Sequence, residues 1–132
     1  MTAIRSLDHF VLRVRHLEAS LAFYQGLLGL GVEGLDEYRL GNRPFVSLRI
    51  GDSLLDLVPD LAYDPAKAGE GGFLHFCVTL ADFEGSIREL REAGVRFLHD
   101  EPVPRGGARG IGRSIYAHDP DGYVVELKEH ME

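Results

Sequence analysis

Asp119-Pro120-Asp121-Gly122-Tyr123-Val124-Val125-Glu126-Leu127 is the stretch on which the fold is decided. It reads as a tight turn entering a strand. Pro and Gly punctuate the turn, and Asp119 and Asp121 can bond their own backbone there. In the strand, Tyr123, Val125 and Leu127 take one face, and Val124, Glu126 and Lys128 the other. A carboxylate therefore stands in mid-strand, opposite an apolar face.

The same stretch has a counterpart earlier in the chain. Leu54-Leu55-Asp56-Leu57 matches Val124-Val125-Glu126-Leu127 at an offset of 70 (126 − 56). At the other end, His9 matches His75 at an offset of 66 (75 − 9), and Leu17, Glu18, Ser20 and Leu21 match Phe83, Glu84, Ser86 and Ile87. The change in offset is a net insertion of four residues (70 − 66) between helix and last strand. Each half then reads strand–helix–strand–strand–strand. Each has a His on the polar face of its first strand and a carboxylate on the polar face of its last.

Working outward, Leu7–Val14 alternates, with Phe10, Leu12 and Val14 on the apolar face. Leu17, Leu21, Tyr24 and Leu28 are spaced for an amphipathic helix within His16–Leu28, ended by Gly29 and Gly31. Strands are expected at about Val32–Leu40, Pro44–Ile50 and Ser53–Val58, with turns at Gly41-Asn42 and Gly51-Asp52. Pro59–Gly72 lacks periodicity and reads as a linker. Phe73–Leu80 alternates again, with Leu74, Phe76, Val78 and Leu80 apolar. Phe83, Ile87 and Leu90 mark a second helix, which Asp82 can N-cap and Gly94 can close. Val95–Leu98, a Gly/Arg-rich loop, Ser114–His118 and Tyr123–Lys128 complete the second half. The expected fold is α+β: one domain over 1–132, with tandem βαβββ modules at about 4–59 and 73–130, their mixed sheet curled around a central cavity.

A length of 132 residues suits one domain with a real core. The formal charge of −7 argues against nucleic acid and anionic membranes as partners. No apolar run approaches the ~18 residues of a membrane span. The N-terminal Met1–Arg5 has no signal-peptide apolar region, and Cys77 is the single cysteine. The cytoplasm is therefore the expected compartment.

His9, His75, Asp56 and Glu126 lie opposite the helix-packing faces. Two imidazoles and one or two carboxylates form a ligand set for Zn, Ni, Mn or Fe(II). A polar-lined pocket without metal is the alternative. Ser47 and Arg49 share an inward-capable face, which makes Arg49 a candidate for an anion. Arg105, Arg109 and Arg113 sit on or beside the Gly/Arg-rich loop, a mobile segment that could close over an anionic substrate or simply be a surface hairpin. Tyr116 and Ser114 share one strand face. Cys77 follows His75 on its face. His16, His99, His118 and His130 fall at element ends and carry no assigned role.

Paired halves with His-Phe near each start and DPDGYVVEL at the end resemble the vicinal oxygen chelate superfamily, which holds glyoxalase I, bleomycin-binding proteins and extradiol dioxygenases. The resemblance spans about Ile4–Glu129, and Glu101–Gly110 with Ser114-Ile115-Tyr116 is similar to its glyoxalase-domain branch. It implies metal ligands at His9, His75 and Glu126, with Asp56 at the place of a fourth ligand. Asp56 is one methylene shorter than the usual Glu, so it is expected as a ligand or as the base. Glu126 shares the candidacy for proton transfer, and Tyr116 is implied as an acid or orienting donor. Arg49, Ser114, Arg105 and Arg109 are the candidate substrate contacts.

The activity implied is a metal-dependent, glyoxalase I-like lyase or isomerase on a small substrate bound through vicinal oxygens, such as a thiol hemithioacetal. A homodimer is implied as well. The alternatives are an extradiol dioxygenase, a fosfomycin-type thiol transferase and a metal-free binder of the bleomycin kind. The dioxygenase pattern requires a His where Gly107-Ala108-Arg109-Gly110 stands.

Overall fold

The computed structural model describes residues 2–132. Met1, the start of the segment read for a leader, lies outside them. The chain divides after Asp64 into two compact units, a boundary inside the expected linker.

The first unit runs β1 (His9–Val14), α1 (Leu17–Leu21), β2 (Gly31–Glu33), α2 (Leu35–Arg39), β3 (Val46–Ile50) and β4 (Ser53–Pro59). Its sheet has the order β1-β4-β3-β2, with β1 parallel to β4 and the other pairs antiparallel. α1 continues as a π-helical stretch, Ala22–Leu27, which buries Phe23 and Tyr24. The helix predicted from periodicity is present, with its second half more loosely wound.

The second unit runs β5 (Phe76–Leu80), α3 (Phe83–Glu92), β6 (Val103–Gly107), β7 (Gly110–His118) and β8 (Val124–Glu129). Its sheet repeats the plan, in the order β5-β8-β7-β6 with β5 parallel to β8. The fold is α+β with two four-stranded mixed sheets, and neither sheet closes on itself. The repeat inferred by counting appears in the registers. Val11 faces Asp56 across β1–β4, and Cys77 faces Glu126 across β5–β8.

The turn before β8 forms as its residues dictate. Asp119 Oδ1 accepts from the backbone N–H groups of Asp121 and Tyr123, each at 2.9 Å, and Gly122 takes a φ of 89°. Asp82 caps α3 by accepting from Gly85 N at 3.1 Å, and Gly94 closes it in the left-handed region. α3 buries Phe83, Ile87 and Leu90, each worth about 1.5–3 kcal/mol. Leu12, Val14, Leu48, Leu55 and Leu57 form the apolar side of the first sheet, and Ile115, Ala117, Val125 and Leu127 that of the second.

Four expectations need correction. The strand over Val32–Leu40 stops at Glu33, because Gly34 turns the backbone to a φ of 81° and Leu35–Arg39 then coils into α2. Acids in the first turn of α2 and Arg39 in its last suit the helix dipole. Val95–Leu98 forms no strand beyond a single bridge, Phe97 to Ala117. Part of the Gly/Arg-rich segment is a strand: β6 pairs with β7 across a two-residue turn from Gly107 to Gly110. The strand expected from Phe73 begins only at Phe76, so Leu74 is 75% exposed and His75 immediately precedes β5. Among the described residues no helix is long and apolar enough to cross a membrane.

Candidate functional site

In the first unit, the β1–β4 register sets His9 beside Leu54 and Val11 beside Asp56, so His9 and Asp56 are near neighbours. His9 Nε2 lies 4.0 Å from Asp56 Oδ2. On its other side, His9 Nδ1 is 2.6 Å from Asp8 Oδ1. An ionised carboxylate only accepts, so Nδ1 carries the proton in that contact. In the neutral imidazole, Nε2 is then left with its lone pair, the form a metal or an acid requires. Asp8's hydrogen bond also raises the His9 pKa above the ordinary value; burial opposes it and the Asp56 charge adds to it.

Asp56 is 7% exposed on β4 and faces Ser47 on β3. Ser47 Oγ donates to Asp56 Oδ1 at 2.5 Å. Arg49, the anion candidate on the same strand, is exposed and bonded to Glu33 through Nε at 2.7 Å and Nη2 at 3.1 Å. A substrate would have to compete with that pair.

The second unit builds the same pairing more tightly. Glu126, 5% exposed, lies between Cys77 on β5 and Tyr116 on β7. Its Oε2 accepts from Ser114 Oγ at 2.7 Å, and its Oε1 is 3.0 Å from His75 Nε2. Burial pushes the Glu126 pKa up, but hydrogen bonds from Ser114 and Tyr116 and the charges of His75 and Lys128 outweigh it, and the net shift is downward. The Tyr116 ring meets His75 edge-on, with centroids 5.4 Å apart. Burial raises the Tyr116 phenol above its usual value, with a hydrogen bond from Arg105 pulling the other way and Glu126 reinforcing the rise. Burial, the Glu126 charge and a hydrogen bond to Glu126 push the Cys77 thiol up to about 11, so it is neutral at pH 7.

Of the cations near the hairpin, Arg105 is the one beside this pair, its guanidinium 5.9 Å from the Tyr116 ring centroid. Arg109 reaches Met131 O at 3.4 Å. Arg113 is spent on Glu129 at 2.6 Å and Glu84 at 3.1 Å.

Several contributors carry little sequence signal. His99 donates from Nδ1 to Glu101 O at 2.7 Å and accepts from Tyr116 N at 3.2 Å, which holds the Tyr116 backbone. Lys128 is 4% exposed and donates to Arg105 O at 2.5 Å and to Gly112 O at 3.3 Å, fastening the β6–β7 hairpin. Asp8 had a visible signal, a carboxylate next in sequence to a candidate ligand. Ser47 shows only as a small polar residue on a strand face shared with Arg49, while Ser114, expected as a substrate contact, donates to Glu126.

The structure thus brings together His9 with Asp56, and His75 with Glu126, Ser114 and Tyr116. Among the described residues no group of three or more His, Cys, Asp or Glu is placed to hold a metal, so each unit offers a pair. The pairs differ in span. Two donors about 2.1 Å from one ion, at bond angles of about 90–110°, stand about 3.0–3.4 Å apart. The 3.0 Å between His75 and Glu126 fits that span, and the 4.0 Å between His9 and Asp56 exceeds it.

Residues 6–127 match the model of the Glyoxalase/Bleomycin resistance protein/Dioxygenase superfamily. The chain is 31% identical over 126 residues to the glutathione transferase FosA of Serratia marcescens, covering 94% of this chain and 80% of that one. It is 28% identical over 131 residues to a virulence protein of Salmonella typhimurium, covering 97% and 86%. The crystal structure of that virulence protein superposes with a TM-score of 0.75 at 24% identity, covering 98% of this chain and all of the other. Human mitochondrial methylmalonyl-CoA epimerase is 28% identical over 131 residues, covering 93% and 73%.

Proposed function

Because the chain belongs to the glyoxalase/bleomycin resistance protein/dioxygenase superfamily, we propose that it is a divalent-metal-dependent lyase or isomerase of the glyoxalase I kind. Its substrate is a small molecule bound through two neighbouring oxygens, with a thiol hemithioacetal the first candidate. The observation that carries the proposal is the buried Glu126, held by Ser114 with its second oxygen 3.0 Å from His75 Nε2.

His75 and Glu126 are the proposed ligand pair for Zn, Ni, Mn or Fe, and His9, in the other unit, is the third ligand that the family resemblance implies. Bound by them, the ion supplies Lewis acidity to the substrate oxygens. Asp56 is the proposed base rather than a ligand, given the wider 4.0 Å separation from His9. Its Oδ2 takes the proton from the hydroxyl-bearing carbon; that electron pair forms a double bond to the neighbouring carbonyl carbon, whose π electrons move onto its own oxygen. Asp56 returns the proton to that neighbouring carbon while the hydroxyl proton of the first carbon passes to the second oxygen, so the first carbon becomes the carbonyl with no net redox change. Tyr116 offers a neutral phenol beside Glu126 as a hydrogen-bond donor. Arg105 is the proposed contact for an anionic end of the substrate.

The 31% identity to a glutathione transferase favours a second reading, addition of a thiol to an oxygenated substrate at the same residues. One panel separates the two. Purified protein is assayed for metal content, then with methylglyoxal plus glutathione, fosfomycin plus thiols, and catechols under Fe(II). Isomerisation of the hemithioacetal supports the first reading, and thiol adducts the second. Ring cleavage, or bleomycin binding by a metal-free protein, rejects both.

A further inference from the structure

Arg43 enters none of the roles above, yet it is held on three sides. Its guanidinium carbon lies 4.2 Å from the centroid of the Phe45 ring, a cation–π contact. A side chain on Gly34 would collide with Arg43 Nη1, Cζ and Nε, so the bare backbone there leaves room for the guanidinium. Nη2 donates to Ser47 Oγ at 2.7 Å. Nε is buried and has no hydrogen-bond partner. An unpaired buried N–H is costly, so the position is held by what the rest of the guanidinium does.

The direction of the bonds follows from the inventory of donors. A guanidinium donates and never accepts. Ser47 Oγ must therefore accept from Arg43, and its own single proton goes to Asp56 Oδ1 at 2.5 Å, a length suited to a hydroxyl on a carboxylate. Oδ1 is thereby held as an acceptor. Oδ2 is the remaining oxygen, and it is the one on the His9 side.

We propose that Arg43 is a positioning residue: acting through Ser47, it locks Asp56 so that Oδ2 alone faces the substrate proton. This rests on Asp56 being the base. Freed from the relay, the carboxylate can rotate about χ2 and present either oxygen, and the reactive geometry becomes one of several. Neither the composition nor the repeat marks Arg43, because the second unit has Arg113 in a different arrangement, on Glu84 and Glu129.

The test uses the full chain with the methylglyoxal–glutathione hemithioacetal as probe. Arg43→Met and Ser47→Ala should each lower kcat about tenfold, with KM and metal content unchanged. Arg43→Lys should recover part of the loss. Added guanidinium ion should restore Arg43→Ala and leave Ser47→Ala unrestored, a readout that a role in folding would not give. A spectroscopic arm needs no turnover. In 15N-labelled protein the Arg43 Nε–H should exchange slowly, and Ser47→Ala should shift its resonance.

Full kcat in both Arg43→Met and Ser47→Ala, beside an inactive Asp56→Asn, overturns the relay and leaves the base assignment standing. Full kcat in Asp56→Asn removes the base and the relay together. An Arg43 resonance indifferent to Ser47→Ala and to Asp56→Asn also overturns the relay, whatever the activity.

Discussion

Ser114→Ala is the sharpest probe of the second unit. The hydroxyl is fully buried, and its bond to Glu126 Oε2 is 2.7 Å long. Truncation leaves one oxygen of a buried carboxylate without that donor, and hydrogen bonds to charged groups contribute about 1.5–3 kcal/mol. At pH 7 the variant should lose about 2 kcal/mol, which for a chain of this size lowers Tm by roughly 5–10 °C.

The pH dependence carries the argument. The folded Glu126 pKa lies below the ordinary 4.5, so the stability it contributes is present above the unfolded value and is lost as pH falls through the folded one. Ser114→Ala removes one of the interactions that hold it down. The deficit should therefore be full at pH 7 and shrink below about pH 4.5, as the carboxyl protonates in both proteins. Urea midpoints followed by far-ultraviolet circular dichroism, at pH 7 and in steps down to about pH 3.5, give the comparison. A deficit of the same size at every pH would mean that Ser114 acts by packing alone, and the account of how Glu126 stays ionised would fail.

Other consequences can be checked alongside it. His9→Ala, His75→Ala and Glu126→Ala should each lose bound metal by elemental analysis while staying folded by circular dichroism; full occupancy in all three would refute the ligand assignment. Asp56→Asn should keep most of the metal and lose at least a hundredfold in hemithioacetal isomerisation, the low end of what a general base supplies. Gly34→Ala should cost roughly 1–2 kcal/mol, because the added methyl meets both the 81° φ and the Arg43 guanidinium; an unchanged melting temperature would refute that packing. Light scattering at micromolar concentration should give a dimer, and a mass near 14.6 kDa would reject it. If the dimer is present, mixing His9→Ala with Glu126→Ala should restore activity only where one site draws on both chains.

Much of the fold was legible because a repeat doubles the signal. One weak strand reads ambiguously, but two copies in phase at offsets of 66 and 70 support each other, and the structure gives the two units matching registers, Val11 with Asp56 and Cys77 with Glu126. The turn chemistry at Asp119 and the cap at Asp82 were equally local, and both formed as expected. The misses lie where tertiary pairing decides. β6 is Val-Pro-Arg-Gly-Gly, a sequence with poor strand propensity, and it is extended because β7 pairs with it. α2 occupies five residues, too few for periodicity to reveal. Of the site, the paired His and carboxylate positions were visible. Their supports were not: Arg43 and Ser47 reach Asp56, and His99 reaches Tyr116, through contacts that no spacing rule encodes.

The two carboxylates are held differently in their two units, and the proposed roles follow that difference. Both stand on the last strand of their unit, both are buried, and both accept from a serine. The serines occupy different places. Ser47 is directly across from Asp56, while Ser114 pairs in register with Lys128, one step along the face from Glu126. A shorter side chain meets its hydroxyl straight across the strand pair, and a longer one reaches the diagonal neighbour, at about 7–8 Å between backbones. The extra methylene thus carries Glu126 to within 3.0 Å of its histidine, whereas Asp56 stays 4.0 Å from His9. In the proposed reaction that difference bears on proton transfer. A carboxylate bound to a metal loses basicity to the ion, and one held a step back keeps a lone pair for the substrate. Exchanging the two lengths tests this. Asp56→Glu should bring the carboxylate into ligand range, raising metal affinity and lowering kcat; unchanged affinity with full turnover would detach side-chain length from the division of roles.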